Sequence, residues 1–395
     1  MKIIGVAPKL TFSGFQNTFF DSLEMQEVQV IRLAVECPMF RLLCAAASFH
    51  PNKKVWGPKL SQLYYMSLPA FKMKSSIARR LVGLNKDGAH AIYQVGSLWN
   101  PLGNGTSLPF FIQIDYTSKL SIERGGWKIC TGRQMDFRLE QERKLFHAAS
   151  AILTSTENAR ISVIRDYGVT PDKVITVGAG VSAPFDRLEP NRFPNYASKK
   201  ILFIGKGNIG KGLDTLLDAF KIVRKRIADA ELTIIGPTDL SIKEPGVLYL
   251  GRIADKEQLK RIYYGHALFV MPSRFEPFGQ VFLEAMSCQL PCIGTTADAM
   301  PEIIQAGVTG YNIEPGDHNG LAENIVDILN DPDRAKQMGR AGFERLEQFY
   351  TWPVVGRKIL QVIKDKIATA KLSLIIAACT IQSALLLDGT IPSLC

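Results

Sequence analysis

The chain of 395 residues has seven cysteines, at 37, 44, 130, 288, 292, 379 and 395, but no C-x-x-C pair and no companion histidine at zinc spacing. That pattern excludes a zinc ribbon and a thioredoxin-type redox pair, and it implies reduced thiols in a cytosolic compartment. Long apolar runs are also scarce. The uncharged stretch "LSLIIAACTIQSALLL" at 372–387 has 16 residues, short of the roughly 20 that span a bilayer. "MKIIGVAPKL" has one lysine and a short apolar run before Pro8, which reads as a first strand rather than a secretory signal. No internal repeat is visible, so a solenoid or propeller is excluded.

A formal charge of +10 suits nucleic acid, but no aromatic-basic RNA motif, zinc finger or long basic arm accompanies it. Nucleic acid is therefore not an expected partner. Anionic membrane surfaces and phosphorylated substrates are the better ones. With 46% hydrophobic and 21% charged residues the chain is neither disordered nor a multi-span membrane protein. Its length exceeds one ordinary core and predicts two domains.

Apolar β-rich runs alternate with helical periodicity in both halves, the pattern of parallel α/β sheets. "MKIIGVA", "HAIYQVG", "PFFIQID", "AILTST" and "KVITVGAGV" are the strand candidates of the first half. "KKILFIG", "AELTIIGP", "GVLYLGR", "HALFVMPS" and "LPCIGTT" are those of the second, separated by helices near 212–228, 255–263, 279–288 and 298–306. Each half reads as a doubly wound, Rossmann-like domain. The proline-rich stretch "APFDRLEPNRFPNYASKK" between them reads as a linker. The expected organisation is an amino-terminal domain over 1–183, a linker over 184–198, a carboxy-terminal domain over 199–355 and a helical tail over 356–395.

"ILFIGKGNIGKGLDTLLDAF", 201–220, spells two phosphate signatures at once. Gly205, Gly207 and Gly210 give the dinucleotide pattern G-x-G-x-x-G, and Gly205 to Lys211 give most of a Walker A loop. The dinucleotide site also needs an acid at the end of the next strand, where this chain has Gly236-Pro237. The Walker loop needs Ser or Thr after its lysine, where this chain has Gly212. What survives is a strand end, a glycine turn and two lysines, Lys206 and Lys211, ahead of a helix starting at about Leu213. Such a turn holds an anion on backbone N–H groups, with the two ammonium groups gripping a diphosphate; the alternative is a tight turn whose lysines point into water.

"MPSRFEPFGQVFLEAMSCQLP" adds Glu276 on a loop held open by Pro277 and Gly279, followed by a helix carrying Glu284. Free N–H groups near Gly279, Gln280 and Val281 take a phosphate, and a carboxylate one turn into the helix accepts both protons of a ribose diol. Glu276 reaches the hydroxyls of a sugar beyond the phosphate. The alternative is a first-turn acid favoured by the helix dipole beside a solvated glutamate.

At these residues the chain resembles the retaining GT-B glycosyltransferases of the large family-four group. The resemblance covers most of 145–355 and rests on the two stretches quoted above together with "AELTIIGP", "LYLGRI", "MPEII", "GVTGYNIEPGD" and "LAENIVDIL". It implies a GT-B fold, with two Rossmann-like domains facing across a cleft, the donor on the second and the acceptor on the first. Glu276 and Glu284 match the family's E-x7-E pair, which implies that Glu284 binds the nucleotide ribose and Glu276 the donor sugar. Phe278 lies within the same motif and is carried over with the donor-binding set. Lys206 and Lys211 match its paired basic residues, although arginine is commoner at the first. Base contacts in the family fall near Arg252 and Ile253 and are largely made by backbone.

The first domain matches less well. Only "TFSGFQNT" can serve as the family's glycine-rich loop, with Gly14 facing the phosphate, and where the family often has a histidine beside the donor sugar "PFFIQIDYTSKLS" offers Asp115. His50, His90 and His147 sit elsewhere. Asp115 then accepts a hydrogen bond from a donor hydroxyl or shields an oxocarbenium-like charge, or else it caps a helix.

The implied activity is transfer of a sugar from a nucleoside-diphosphate sugar to a glycan or lipid-linked acceptor hydroxyl, with retained configuration and with no metal ion, cofactor or D-x-D metal site. A sugar-nucleotide epimerase of the same fold and a nucleotide-sugar binding protein without turnover are the alternatives. The expected location is the cytoplasm, with peripheral contact at the inner membrane face. Two segments bear on that contact. "FKMKSSIARRLVGL", 71–84, spaces Met73, Ile77 and Leu81 at helical intervals among Lys72, Lys74, Arg79 and Arg80, the pattern either of a helix lying on anionic lipid or of one packed on its own domain. The run at 372–387 reads as a terminal helix or interfacial anchor.

Overall fold

The computed structural model describes residues 1–8, 14–103, 106–124, 132–205, 210–236 and 244–387. Two six-stranded sheets, parallel throughout, form its frame. The first contains β1 (Lys2–Pro8), β2 (Gln29–Val35), β3 (Ala91–Val95), β4 (Phe110–Ile114), β5 (Ala151–Thr154) and β6 (Val174–Thr176) in the order β2-β1-β3-β4-β5-β6. The second contains β7 (Lys200–Ile204), β8 (Glu231–Ile235), β9 (Val247–Gly251), β10 (Leu268–Val270), β11 (Cys292–Thr295) and β12 (Gly310–Ile313) in the order β12-β11-β10-β7-β8-β9. Central strands such as β3, β4 and β5 are buried at every position, as strands covered by helices on both faces must be. Ten of these strands coincide with the apolar runs of the sequence. The other two do not: β2 is partly exposed and interrupted by Arg32, which pairs with Asp21 and Glu24, and β12 is a four-residue strand of mixed burial.

Helices on the first sheet are α1 (Gly14–Glu24), α2 (Pro38–Ala47), α3 (Lys53–Ser61), α4 (Leu68–Asn85), α5 (Ser118–Glu123), α6 (Gly132–Ala148) and α7 (Glu157–Tyr167). Those of the second region are α8 (Leu213–Arg226), α9 (Lys256–Tyr264), α10 (Gln280–Ser287), α11 (Met300–Ile303), α12 (His318–Asn330) and α13 (Pro332–Phe349), followed by α14 (Trp352–Leu387). α4 is packed on its own domain through Ala70, Phe71, Lys74, Ser75, Ala78 and Val82. The Met73–Ile77–Leu81 stripe is therefore not its buried face, and Lys74, counted among the surface basic residues, lies inside.

α14 returns to the first sheet, although it follows α13 in the chain. Trp352 meets Phe19 of α1 edge-on at 5.1 Å, and Val355, Ile359 and Ile363 are fully buried. A Cβ on Gly356 would stand 2.1 Å from the Ser22 carbonyl oxygen, so only glycine permits this approach of two helices. The chain thus passes between the two regions twice, and the passages touch where Val181 N–H donates to the Tyr350 carbonyl at 2.9 Å. Among the described residues no helix is long and apolar enough to cross a membrane.

Candidate functional site

The order of the second sheet reverses at β7, which has β8 on one side and β10 on the other. Open parallel sheets take ligands outside the carboxyl ends of their strands at such a reversal. A cavity of about 710 Å³ opens there. Gly205 after β7, Gly236 after β8 and Met271 after β10 form its floor, and Arg252 and Ile253 line a side, as do Gln280 and Val281 from the start of α10. Arg252, Ile253, Gln280 and Val281, four of the sequence-derived donor residues, therefore share it with Lys211, Glu276 and Glu284; Lys206, the other lysine of the expected pair, lies outside the described residues.

Glu284 is the anchor of this cavity. α10 carries it just beyond the first turn, and its side chain is only 6% exposed. The Tyr263 hydroxyl donates to Oε2 at 3.0 Å and the Lys256 ammonium to Oε1 at 3.2 Å. Burial raises its pKa above the ordinary 4.5, and the charge of Lys256 and the two hydrogen bonds oppose that rise. Tyr263 and Lys256 both belong to α9, seven residues apart and hence on one helical face. Sequence reading missed them both, since nothing in the chain announces that α9 packs across Glu284.

Lys211 and Glu276 are a pair. The Lys211 ammonium is 2.7 Å from Glu276 Oε2 and also donates to the Phe275 carbonyl at 3.0 Å. The loop brings Lys211 so close because Gly212 caps α8 at φ +71°, where a Cβ would stand 1.9 Å from the Pro272 carbonyl oxygen. Gly279 plays the same part for α10, at φ +91°. That left-handed turn bares the helix amino terminus beside Glu276, an arrangement that receives an anion.

Asp298, unmarked in the sequence, joins the domains at this point. Its side chain is fully buried and it adopts φ +51°. It accepts from the Glu276 N–H at 3.0 Å and the Tyr116 hydroxyl at 2.9 Å, and it pairs with Arg124 at 3.3 Å. Tyr116 also packs edge-on against Phe275. Glu302 of α11 makes a second junction, accepting the N–H groups of Glu157 and Asn158 at the start of α7 at 2.7 and 2.9 Å.

The remaining expectations fare unevenly. Phe278 does not line the cavity: its ring is buried in the core facing Tyr350, so only its backbone is available to a donor. Gln280 sends its amide N–H to the Gly180 carbonyl at 2.9 Å and holds the interdomain passage besides lining the cavity. Gly14 begins α1, outside the cavity lining, and residues 9–13 before it are outside the described set. Asp115 follows β4 on the first domain, exposed and also outside that lining. Protein crowding around its carboxyl raises its pKa, against the backbone N–H groups of Asp115 and Tyr116. One D-x-D does occur, Asp331-Pro332-Asp333, but Asp331 caps α13 through the Arg334 N–H. Among the described residues no cluster of carboxylate, histidine and cysteine ligands is arranged to hold a metal.

Residues 198–331, which carry this cavity, match the family model described as glycosyl transferases group 1. That segment belongs to the group 1 family. The chain is also similar to curated proteins. The chain is 35% identical over 173 residues to N-acetyl-alpha-D-glucosaminyl L-malate synthase of Bacillus anthracis, covering 40% of this chain and 44% of that one. It is 25% identical over 236 residues to a capsular polysaccharide biosynthesis glycosyltransferase of Staphylococcus aureus, covering 55% and 62%. The matched part is therefore about half the length of these relatives. Sucrose-phosphate synthase of Thermosynechococcus elongatus superposes with a TM-score of 0.65 over 93% of this chain and 100% of its own, at 18% identity. Beside the group 1 domain the first sheet completes the same architecture, and the whole chain has the GT-B fold.

Proposed function

We propose that the chain is a retaining glycosyltransferase that moves a sugar from a nucleoside diphosphate to an acceptor hydroxyl, in glycan, polysaccharide or glycolipid biosynthesis. The observation that carries this reading is Glu284, a carboxylate buried at the cavity wall and held by Lys256 and Tyr263 so that its remaining lone pairs face a diol. The nucleoside lies against Arg252 and Ile253, with its ribose on Glu284. The diphosphate meets the N–H groups of Gly279, Gln280 and Val281, and the ammonium groups of Lys206 and Lys211.

The bond between the anomeric carbon and the diphosphate breaks as the acceptor oxygen bonds to that carbon, and the acceptor's proton ends on the departing diphosphate. Negative charge grows on the leaving group, where fixed positive charge and helix N–H groups stabilise it most. This supplies what a metal ion would otherwise supply, so the reaction is metal-independent. Glu276 exchanges part of its bond to Lys211 for the donor sugar hydroxyls. Asp115, from the first domain, takes a further sugar hydroxyl. The acceptor is a glycan or a lipid-linked sugar, met in the cytoplasm or at the inner membrane face.

The test is acceptor-dependent release of free nucleoside diphosphate, with the product's anomeric configuration read by NMR. Free sugar epimers formed without acceptor, or tight donor binding with no turnover, would replace this reading.

A further inference from the structure

The outward face of α2 is apolar. Met39, Leu42, Leu43 and Ala46 follow the i, i+3, i+4, i+7 spacing of one helical stripe, and on a surface helix such a stripe normally faces the core. Here it faces out. Met39, Leu42, Leu43 and, just beyond the helix, Phe49 are each between 66% and 73% exposed. Single exposed apolar residues need no explanation, but four on one helix and its exit form a patch that does.

The stretch of chain that builds the patch carries charge of one sign. From Cys37 to Lys86 the chain has nine lysines and arginines and no acidic residue, all 37 of its acids lying elsewhere. Arg41, Lys53, Lys59, Lys72 and Arg79 in this stretch are exposed.

The face is also built to keep its shape. Phe49 stands edge-on to Trp56 at 5.7 Å, and the Trp56 indole N–H donates to the Ala45 carbonyl at 3.1 Å. Beneath, the buried Lys74 ammonium sits 3.8 Å from the centre of the Tyr64 ring and donates to the Tyr64 carbonyl at 2.9 Å. Cys37 N–H reaches the Tyr64 hydroxyl at 3.4 Å, which ties the start of α2 to the turn at 62–66 just before α4. Beside α4 a cavity of about 400 Å³ is lined by Lys72 and Arg79 together with Phe71 and Phe137.

We propose that the α2–α4 face docks on an anionic lipid bilayer, with Met39, Leu42, Leu43 and Phe49 entering the headgroup–acyl boundary and the surrounding basic residues meeting lipid phosphates. An apolar ridge on a stretch rich in exposed lysine and arginine complements such a surface on both counts. The docking face belongs to the first domain, so the proposal rests on the proposed function for its meaning: a lipid-linked acceptor is met where the enzyme sits.

Sedimentation of the full chain with phosphatidylcholine vesicles, with and without one-third phosphatidylglycerol, tests it. Binding is expected only to the anionic vesicles, to fall at least tenfold in L42D/L43D and in K53E/K59E, and to weaken steeply in high salt. I375D on α14 is expected to leave binding unchanged. Unfolding midpoints and the affinities for UDP, GDP and ADP, measured beside each variant, show that the second domain is intact. Failure of anionic vesicles to bind, equal binding to neutral ones, or L42D/L43D binding like the parent would each overturn the proposal. So would a dimer that L42D/L43D converts to monomer without any vesicle binding, since the ridge would then meet a second copy. Nucleoside-diphosphate release is assayed separately, with a water-soluble acceptor, so that loss of turnover and loss of docking are told apart.

Discussion

Replacing Glu284 with alanine takes away the acceptor of the Tyr263 hydroxyl at 3.0 Å and the partner of Lys256 at 3.2 Å. Tyr263 is fully buried, but its hydroxyl keeps a longer contact with the Val281 carbonyl at 3.3 Å. The orphaning is therefore partial, and a costly buried carboxylate goes with it. The net loss of stability is expected at about 1 kcal/mol or less. Donor binding suffers more. Hydrogen bonds from a diol to a charged acceptor are worth about 1.5–3 kcal/mol, which is roughly a ten- to hundredfold rise in Kd. Glu284→Gln keeps one acceptor for Tyr263 and should unfold like the parent, yet still bind nucleoside diphosphate about tenfold more weakly. Calorimetric titration with UDP, GDP and ADP reads both variants against the parent. Equal dissociation constants for the parent's preferred nucleotide would remove Glu284 from the site.

The same carboxylate sets a pH dependence. Its folded pKa is raised by burial above the ordinary 4.5, so the folded state holds this proton more tightly than the unfolded state does. Stability of the ligand-free protein should fall as pH rises from 4.5 through the raised value, by this group's share. Nucleotide binding, which needs the charged form, should strengthen over the same interval. Glu284→Gln should flatten both components.

Three further outcomes follow from the cavity. Lys206→Ala with Lys211→Ala should cut turnover at saturating donor far more than it lowers the unfolding midpoint, and equal turnover would end the diphosphate-grip argument. Activity should survive excess chelator, since lysines and the α10 amino terminus supply the positive charge; complete loss restored by Mg²⁺ or Mn²⁺ would contradict it. Gly212→Ala should lower the unfolding midpoint by more than about 1 kcal/mol's worth and reduce nucleotide affinity, because its Cβ would meet the Pro272 carbonyl at 1.9 Å. A parent-like midpoint would show that the turn relaxes freely.

The site was legible where one short segment makes it. Glu276, Gly279 and Glu284 lie on a single loop and helix, so their spacing alone fixes their geometry, and Lys211 sits at the end of a strand that its apolar run announces. Lys256 and Tyr263 were not legible, because what gives them meaning is the packing of α9 across Glu284, 21 to 28 residues away in the chain. Asp298 was hidden for a similar reason: its partners Tyr116, just after β4, and Arg124, at the end of α5, lie far away in the chain. Phe278 was carried into the site by its neighbours in the motif, yet the turn at Gly279 points its ring into the core. In the first domain β2 escaped notice since an edge strand crossed by Arg32 lacks an apolar run. Helix α4 was found, but its buried face includes Lys74, a cation stabilised by two tyrosine rings rather than by water, so hydropathy assigned the wrong face.

The return of α14 to α1 bears on how the molecule is made. A ribosome delivers β1 to β6 first, yet the groove on α1 that Trp352, Val355 and Ile359 fill stays open until α14 has left the exit tunnel. During that time the nascent first domain shows Phe19 and its neighbours to solvent while the second domain is synthesised and folds. Emergence of α14, rather than completion of either sheet, is then the event that closes this contact, and a message truncated before Trp352 would leave every strand of both sheets in place but yield a persistent client for chaperones.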